Sequence, residues 1–222
     1  MTRTVGRTVA LTVLVALGAA WPGASAVAAG GFEPDPAGPS ANCVAAPVVS
    51  ERCPAWASVY DDPNGHTTAH GIDLLSGVTL SPDGTRIFTY GYSTDDTTGM
   101  DLVVIAYDAT NGDQQWIYRY DHEGSEKAVG LVVSADGATA YVGGTEGSGS
   151  GEDQLLAIAL NTQTGTPAWK TTYGRADYGV RTFGPLLSGD GRRLYFGGSV
   201  WNGSIPDTAF AASLDSATGA ID

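Results

Sequence analysis

"AYDATNGDQQWIYRY", residues 106–120, combines three features that decide the fold. A strand end at Ala106, Tyr107 and Asp108 runs into a polar turn, the turn closes on Gly112, and Trp116 follows four residues later. The arrangement is not unique in the chain. "ALNTQTGTPAWKTTY" (159–173) repeats it with Gly165 and Trp169, and "SLDSATGAID" (213–222) repeats it as far as Gly219. The three glycines are separated by 53 and 54 residues. A fixed period of this length is the mark of a tandem repeat architecture.

Other markers keep the same period. "SPDG" (81–84) returns as "SADG" (134–137) and "SGDG" (188–191). The pattern W-x-x-x-Y recurs as Trp56/Tyr60, Trp116/Tyr120 and Trp169/Tyr173. Each S-x-D-G is followed by a strand-like segment ending in glycine: "TRIFTYG", "ATAYVGG" and "RRLYFGG". S-x-D-G between apolar runs is hairpin chemistry, because the aspartate bonds the local backbone and the glycine accepts a positive φ. Before it lies a short strand ("GVTL", "LVV", "PLL"); after it come a second strand, a variable loop and a third strand ("DLVVIAYD", "QLLAIALN", "AFAASLD"). A fourth starts at the tryptophan ("WIYRY", "WKTTY", with "WASVY" opening the series). Four short antiparallel strands per repeat, with no helical periodicity between them, predict an all-β chain: a β-propeller of four-stranded blades, with about three blade units in residues 55–222.

In that reading each indole lies over the neighbouring blade's turn, where a glycine without Cβ leaves its peptide open to the ring. A-x-D-x-x-x-G-x-x-x-W resembles the tryptophan-docking motif of propellers related to pyrroloquinoline quinone (PQQ) dehydrogenases, and the chain as a whole resembles exported bacterial proteins of PQQ-like or YVTN-like repeats. Ala106, Asp108, Gly112 and Trp116 match the motif. Ala159, Gly165 and Trp169 match it with Asn161 in place of aspartate, and Asp215 and Gly219 match it after Ser213. For the quinone enzymes the resemblance implies a quinone held with calcium, an acidic base and often adjacent cysteines. No adjacent cysteines occur, and the motif itself is architectural. No specific residue pattern therefore points to PQQ or Ca2+, and no cofactor is expected. By spacing, the next docking tryptophan would fall at position 223, so further C-terminal blades are expected, with ring closure by several copies as the weaker reading.

The first 29 residues read as a secretory signal: Arg3 and Arg7, the apolar run Val9 to Ala19, then small residues "GASAVAA". Residues 30–54 read as a Pro/Gly-rich linker. Within it Cys43 and Cys53 close a short loop and are expected to pair, since an exported chain meets conditions that permit disulfides. The formal charge is −13, and removal of Arg3 and Arg7 with the leader takes it to −15. Such a chain repels phosphate backbones and anionic membrane surfaces, which excludes nucleic acid and leaves no membrane association after signal cleavage.

Candidate chemistry is sparse. His66 and His70 have i, i+4 spacing but sit in a loop and read as surface. His122, between Asp121 and Glu123, reads as a solvated turn residue. No G-x-S-x-G elbow occurs, and no catalytic residue is assigned. The loops between second and third strands (93–101, 145–153 and 199–207) each run into an aspartate and emerge on one rim. They read as solvated loops, with calcium binding as the sharper alternative, as does "YDDPNG" (60–65). The function expected is a secreted, non-catalytic scaffold that binds a protein, glycan or cell-wall ligand through its loop rim. The alternative is a PQQ-like dehydrogenase or a lactonase-type propeller enzyme.

Overall fold

A computed structural model describes residues 56–60, 73–95, 99–122, 124–147, 153–174, 178–202 and 208–222. The leader, Cys43, Cys53, His66 and His70 lie outside the described residues. Eleven strands and no helix occur among them: β1 (Asp73–Leu80), β2 (Arg86–Asp95), β3 (Gly99–Asp108), β4 (Gln114–Tyr120), β5 (Glu126–Val133), β6 (Thr139–Gly147), β7 (Asp153–Asn161), β8 (Pro167–Tyr173), β9 (Gly179–Leu187), β10 (Arg193–Trp201) and β11 (Thr208–Asp215). They form three antiparallel meanders, β1-β2-β3-β4, β5-β6-β7-β8 and β9-β10-β11. The first strands β1, β5 and β9 pack side by side from sheet to sheet. This is part of a β-propeller, with those strands toward the axis and β4 and β8 at the outside. The segment 56–60 is an exception to the expected strands, since only Tyr60 is bridged there.

The third strands explain their own composition. In β3, Asp101 to Tyr107 are buried without a break, and in β7 Leu155 to Leu160 likewise. A strand covered on one face alternates in and out, whereas one buried on both faces reads as a continuous apolar run. Strand β7 is clasped between the first and third sheets, and the second face of β3 packs against Trp56 and Tyr60. Near the axis the wedge narrows and side chains run out of room. Gly130 of β5 and Gly184 of β9 meet backbone to backbone, so a Cβ on either would collide with the other strand. Thr79 Oγ1 of β1 donates to the Leu131 carbonyl of β5 at 3.0 Å.

At the periphery the contact is aromatic. A Cβ built on Gly112 would stand 2.5 Å from Trp56 Cε3, one on Gly165 2.7 Å from Trp116 Cε3, and one on Gly219 2.5 Å from Trp169 Cε3. Each indole also donates Nε1–H to a carbonyl of the same turn: Trp56 to Ala109 at 3.0 Å, Trp116 to Thr162 at 2.9 Å and Trp169 to Ser216 at 3.0 Å. Ala106 and Ala159 lie directly across the sheet from Trp116 and Trp169, where a larger side chain would compete with the ring. The turns are held from within. Asp108 Oδ1 accepts from Thr110 N, Asn161 Oδ1 from Gln163 N and Thr164 N, and Asp215 Oδ1 from Ala217 N and Thr218 N. Asparagine substitutes for aspartate at 161 because the turn needs only that acceptor oxygen.

The hairpin turns repeat a second hydrogen-bond set. Ser81 Oγ donates to Asp83 Oδ1 at 2.6 Å and accepts from Arg86 N, while Thr85 N donates to Asp83. Ser134 with Asp136, and Ser188 with Asp190, do the same. The serine hydroxyl and then the backbone N–H hold the Asp83 carboxyl at about 2, and Asp136 and Asp190 are lowered by the same causes.

Two outcomes are expected. Gly165 and Gly137 share a left-handed φ (70° and 72°), but a Cβ on Gly137 meets only Pro82, at 3.9 Å, whereas one on Gly165 meets the indole. Gly137→Ala should cost the backbone term alone, about 1–2 kcal/mol, and Gly165→Ala at least ~1 kcal/mol more, read by urea unfolding. Because the folded pKa of Asp83 lies below its ordinary 3.8, its stabilising share is complete above 3.8 and is lost as pH falls toward 2. An NMR titration of this carboxyl should show a midpoint near 2, and Ser81→Ala should move it back toward 3.8.

Candidate functional site

An antiparallel meander places its turns alternately at its two ends. The S-x-D-G hairpins and the docking turns share one rim; the loops joining second to third strands and the crossovers between sheets share the other. On the crossover rim, the segment 121–125 carries the chain from β4 of the first sheet to β5 of the second. Its end at Gly124 and Ser125 is held closely. Met100 and Ser125 form a parallel bridge, Gly147 N donates to the Ser125 carbonyl, and Gly124 lies so close to Gly147 that a Cβ there would stand 2.9 Å from its backbone.

Around this crossover gather charged groups that strands rarely bury. Asp101 opens the buried run of β3 and is 1% exposed; Arg119 of β4 donates to its Oδ2 through Nε at 2.7 Å and Nη2 at 2.5 Å. Glu146, at the end of β6, is buried and accepts from the Tyr120 hydroxyl at 2.8 Å. Its carboxylate also stands 3.5 Å from Lys170 Nζ and 3.5 Å from His122 Nδ1. Lys170 reaches the Tyr120 hydroxyl and lies over that ring, and the His122 ring is stacked with it, centroids 6.4 Å and planes 12° apart. Burial first, then the bond to Glu146, push the Tyr120 hydroxyl far above its ordinary value, so it stays a donor.

Glu126 begins β5 and is fully buried. His122 N donates to its Oε2 at 3.1 Å, whereas its Oε1 has no hydrogen-bond partner. Burial raises this carboxyl, His122 N works against the rise, and the neighbouring Glu146 and Asp121 add to it. Elsewhere on the rim, cations face rings: Lys127 Nζ lies 6.0 Å from the Tyr92 centroid and the Arg181 guanidinium 5.4 Å from that of Trp201.

The sequence expectations divide here. The motif residues Ala106, Asp108, Gly112, Trp116, Ala159, Asn161, Gly165, Trp169, Asp215 and Gly219 belong to the inter-sheet contact and stand apart from this cluster. Asp101, expected at the end of a solvated loop, is buried against Arg119. His122, expected as a solvated turn residue, has a half-exposed ring, but one nitrogen faces Glu146 and its backbone N–H serves Glu126. Arg119, Glu126 and Glu146 carry no sequence expectation, and Tyr120 enters only as a marker of the repeat. The available signal was an acidic residue set at the end of each apolar segment, "EKAVGLVV" and "AYVGGTE".

No protein-family model and no curated protein matches the chain. Solved structures resemble it at low identity. BamB from Moraxella catarrhalis is 19% identical (TM-score 0.42), matching 67% of this chain and 37% of its own. The quinohemoprotein alcohol dehydrogenase ADHIIG from Pseudomonas putida HK5 is 15% identical (TM-score 0.44), over 63% of this chain and 25% of its own. A europium-containing methanol dehydrogenase is 15% identical (TM-score 0.40), over 68% and 32%. The chain thus spans between a quarter and two fifths of the length of these proteins.

Removing one partner of a buried ion pair leaves the other charge uncompensated. Arg119→Met should therefore destabilise by about 3 kcal/mol, and adding Asp101→Asn should recover part of that loss in a double-mutant cycle read by urea unfolding.

Proposed function

We propose that the chain is part of an extracytoplasmic, non-catalytic binding propeller that offers its crossover rim to a protein or carbohydrate ligand. The observation that carries this reading is the asymmetry between rims. Polar groups of the turn rim are used up in repeating internal bonds, as in Ser81–Asp83 and Ser188–Asp190. The crossover rim instead presents aromatic rings beside cations and carboxylates: Tyr92, Tyr120, His122 and Trp201 with Lys127, Lys170 and Arg181. Flat rings with hydrogen-bonding edges are the surface on which sugar faces and peptide side chains are held. The leader supports export, and the charge of −13 argues against nucleic acid and anionic membrane as partners. No cofactor is assigned in this reading. A quinone-dependent or lactonase-type enzyme is the second reading, favoured only by the buried carboxylates Glu126 and Glu146.

The test is co-sedimentation of the purified chain with cell-wall and polysaccharide preparations. Trp201→Ala and His122→Ala should each weaken capture about tenfold, the equivalent of ~1.4 kcal/mol, whereas Asp83→Ala on the turn rim should not. Capture indifferent to both rim variants, or dye reduction that depends on added PQQ, would overturn the reading.

A further inference from the structure

The carboxylates at the crossover do more than pair with Arg119. One oxygen from each of Asp101, Asp121 and Glu126 lies within 4.8 Å of the others. Oxygens that share a Ca2+ ion stand about 2.4 Å from it, so none of them can be farther apart than roughly 4.8 Å. The three groups therefore meet the pairwise limit for sharing one ion, and small side-chain adjustments would bring them onto it. They come from three different segments: the start of β3, the crossover, and the start of β5.

Proximity of acids alone would say little, since exposed carboxylates often cluster. The independent observation is Glu126. It is fully buried, its Oε2 takes the His122 N–H, and Oε1 is left with no donor. A buried carboxylate oxygen without a partner costs a few kcal/mol, which a structure retains only when something compensates it. Charge points the same way. Among the described residues, Arg119 is ion-paired to Asp101, and no ion pair reaches Asp121 or Glu126. Glu146, by contrast, already has Lys170 beside it.

We infer that Asp101, Asp121 and Glu126 bind a divalent cation, Ca2+ by the chemistry of the donors, which ties the first sheet to the second at the crossover rim. Oxygen donors alone, with no thiolate and no imidazole among them, select a hard cation. Ca2+ accepts irregular coordination completed by water, and the exposed Asp121 leaves a side open for that water. The site goes beyond the binding reading above and does not depend on it. Its role is structural: an ion held by β3 and β5 resists separation of the two sheets at the rim opposite the indole contacts.

Calorimetric titration of the chelator-treated full chain with Ca2+, repeated on Asp121→Asn and Glu126→Gln, tests this. Asp121 is exposed, so its substitution leaves folding intact even if loss of Glu126 does not. Other acidic loops can contribute ions of their own, so the quantity that decides is the difference in stoichiometry. Wild type should bind one Ca2+ more than Asp121→Asn, and saturating Ca2+ should raise the unfolding midpoint of wild type by roughly 5 °C more than that of the variant. Wild type binding no Ca2+, or binding the same number of ions as Asp121→Asn with the same midpoint shift, would overturn the site.

Discussion

An indole resting on a bare peptide is the contact on which this architecture depends. A single twisted four-stranded sheet buries too little to persist in water, and it gains stability only by laying both faces against neighbours. Trp116 joins two such sheets at once. It stands in β4 of the first, fills the space above Gly165 of the second, and donates its N–H to Thr162. The hydrogen bond fixes the tilt of the ring, and the missing Cβ lets the ring approach. Because Trp56 and Trp169 do the same one repeat to either side, the angle between sheets is set repeatedly by one local rule.

That rule was legible in the sequence because it is periodic. A glycine, an aspartate or asparagine and a tryptophan at fixed offsets, returning every 53 or 54 residues, define where strands end and how many make a sheet. The all-β class and the strand segments after each S-x-D-G follow from the same periodicity. Bulges were not legible. β1, β5 and the β9–β10 pair each shift register near Gly77, Gly130 and Gly197, because crowding near the axis is a property of the assembled wedge rather than of one strand.

The crossover cluster was hidden for the opposite reason. Asp101 and Tyr120 fall at repeating positions, but Arg119 and Glu146, the charges set against them, have no charged counterpart one repeat away. The five residues Asp101, Arg119, Tyr120, Glu126 and Glu146 are spread over four strands of two sheets. Each alone reads as an ordinary polar residue at a strand end. Only the packing of the crossover between Met100 and Gly147 buries them and sets their charges against one another. A repeat thus supplies the frame, and departures from the repeat supply the chemistry. The turn rim, where Ser81, Ser134 and Ser188 make the same bonds, has little left to offer a partner.

The most direct measurement of the central claim is residue-resolved hydrogen exchange of the tryptophan indole N–H groups. With Nε1 of Trp56, Trp116 and Trp169 each bonded to a turn carbonyl of the following sheet, the buried Trp116 N–H should exchange as slowly as the core amides of β3 and β7. Trp116 exchanging at the rate of a free indole while those amides stay protected would contradict the account.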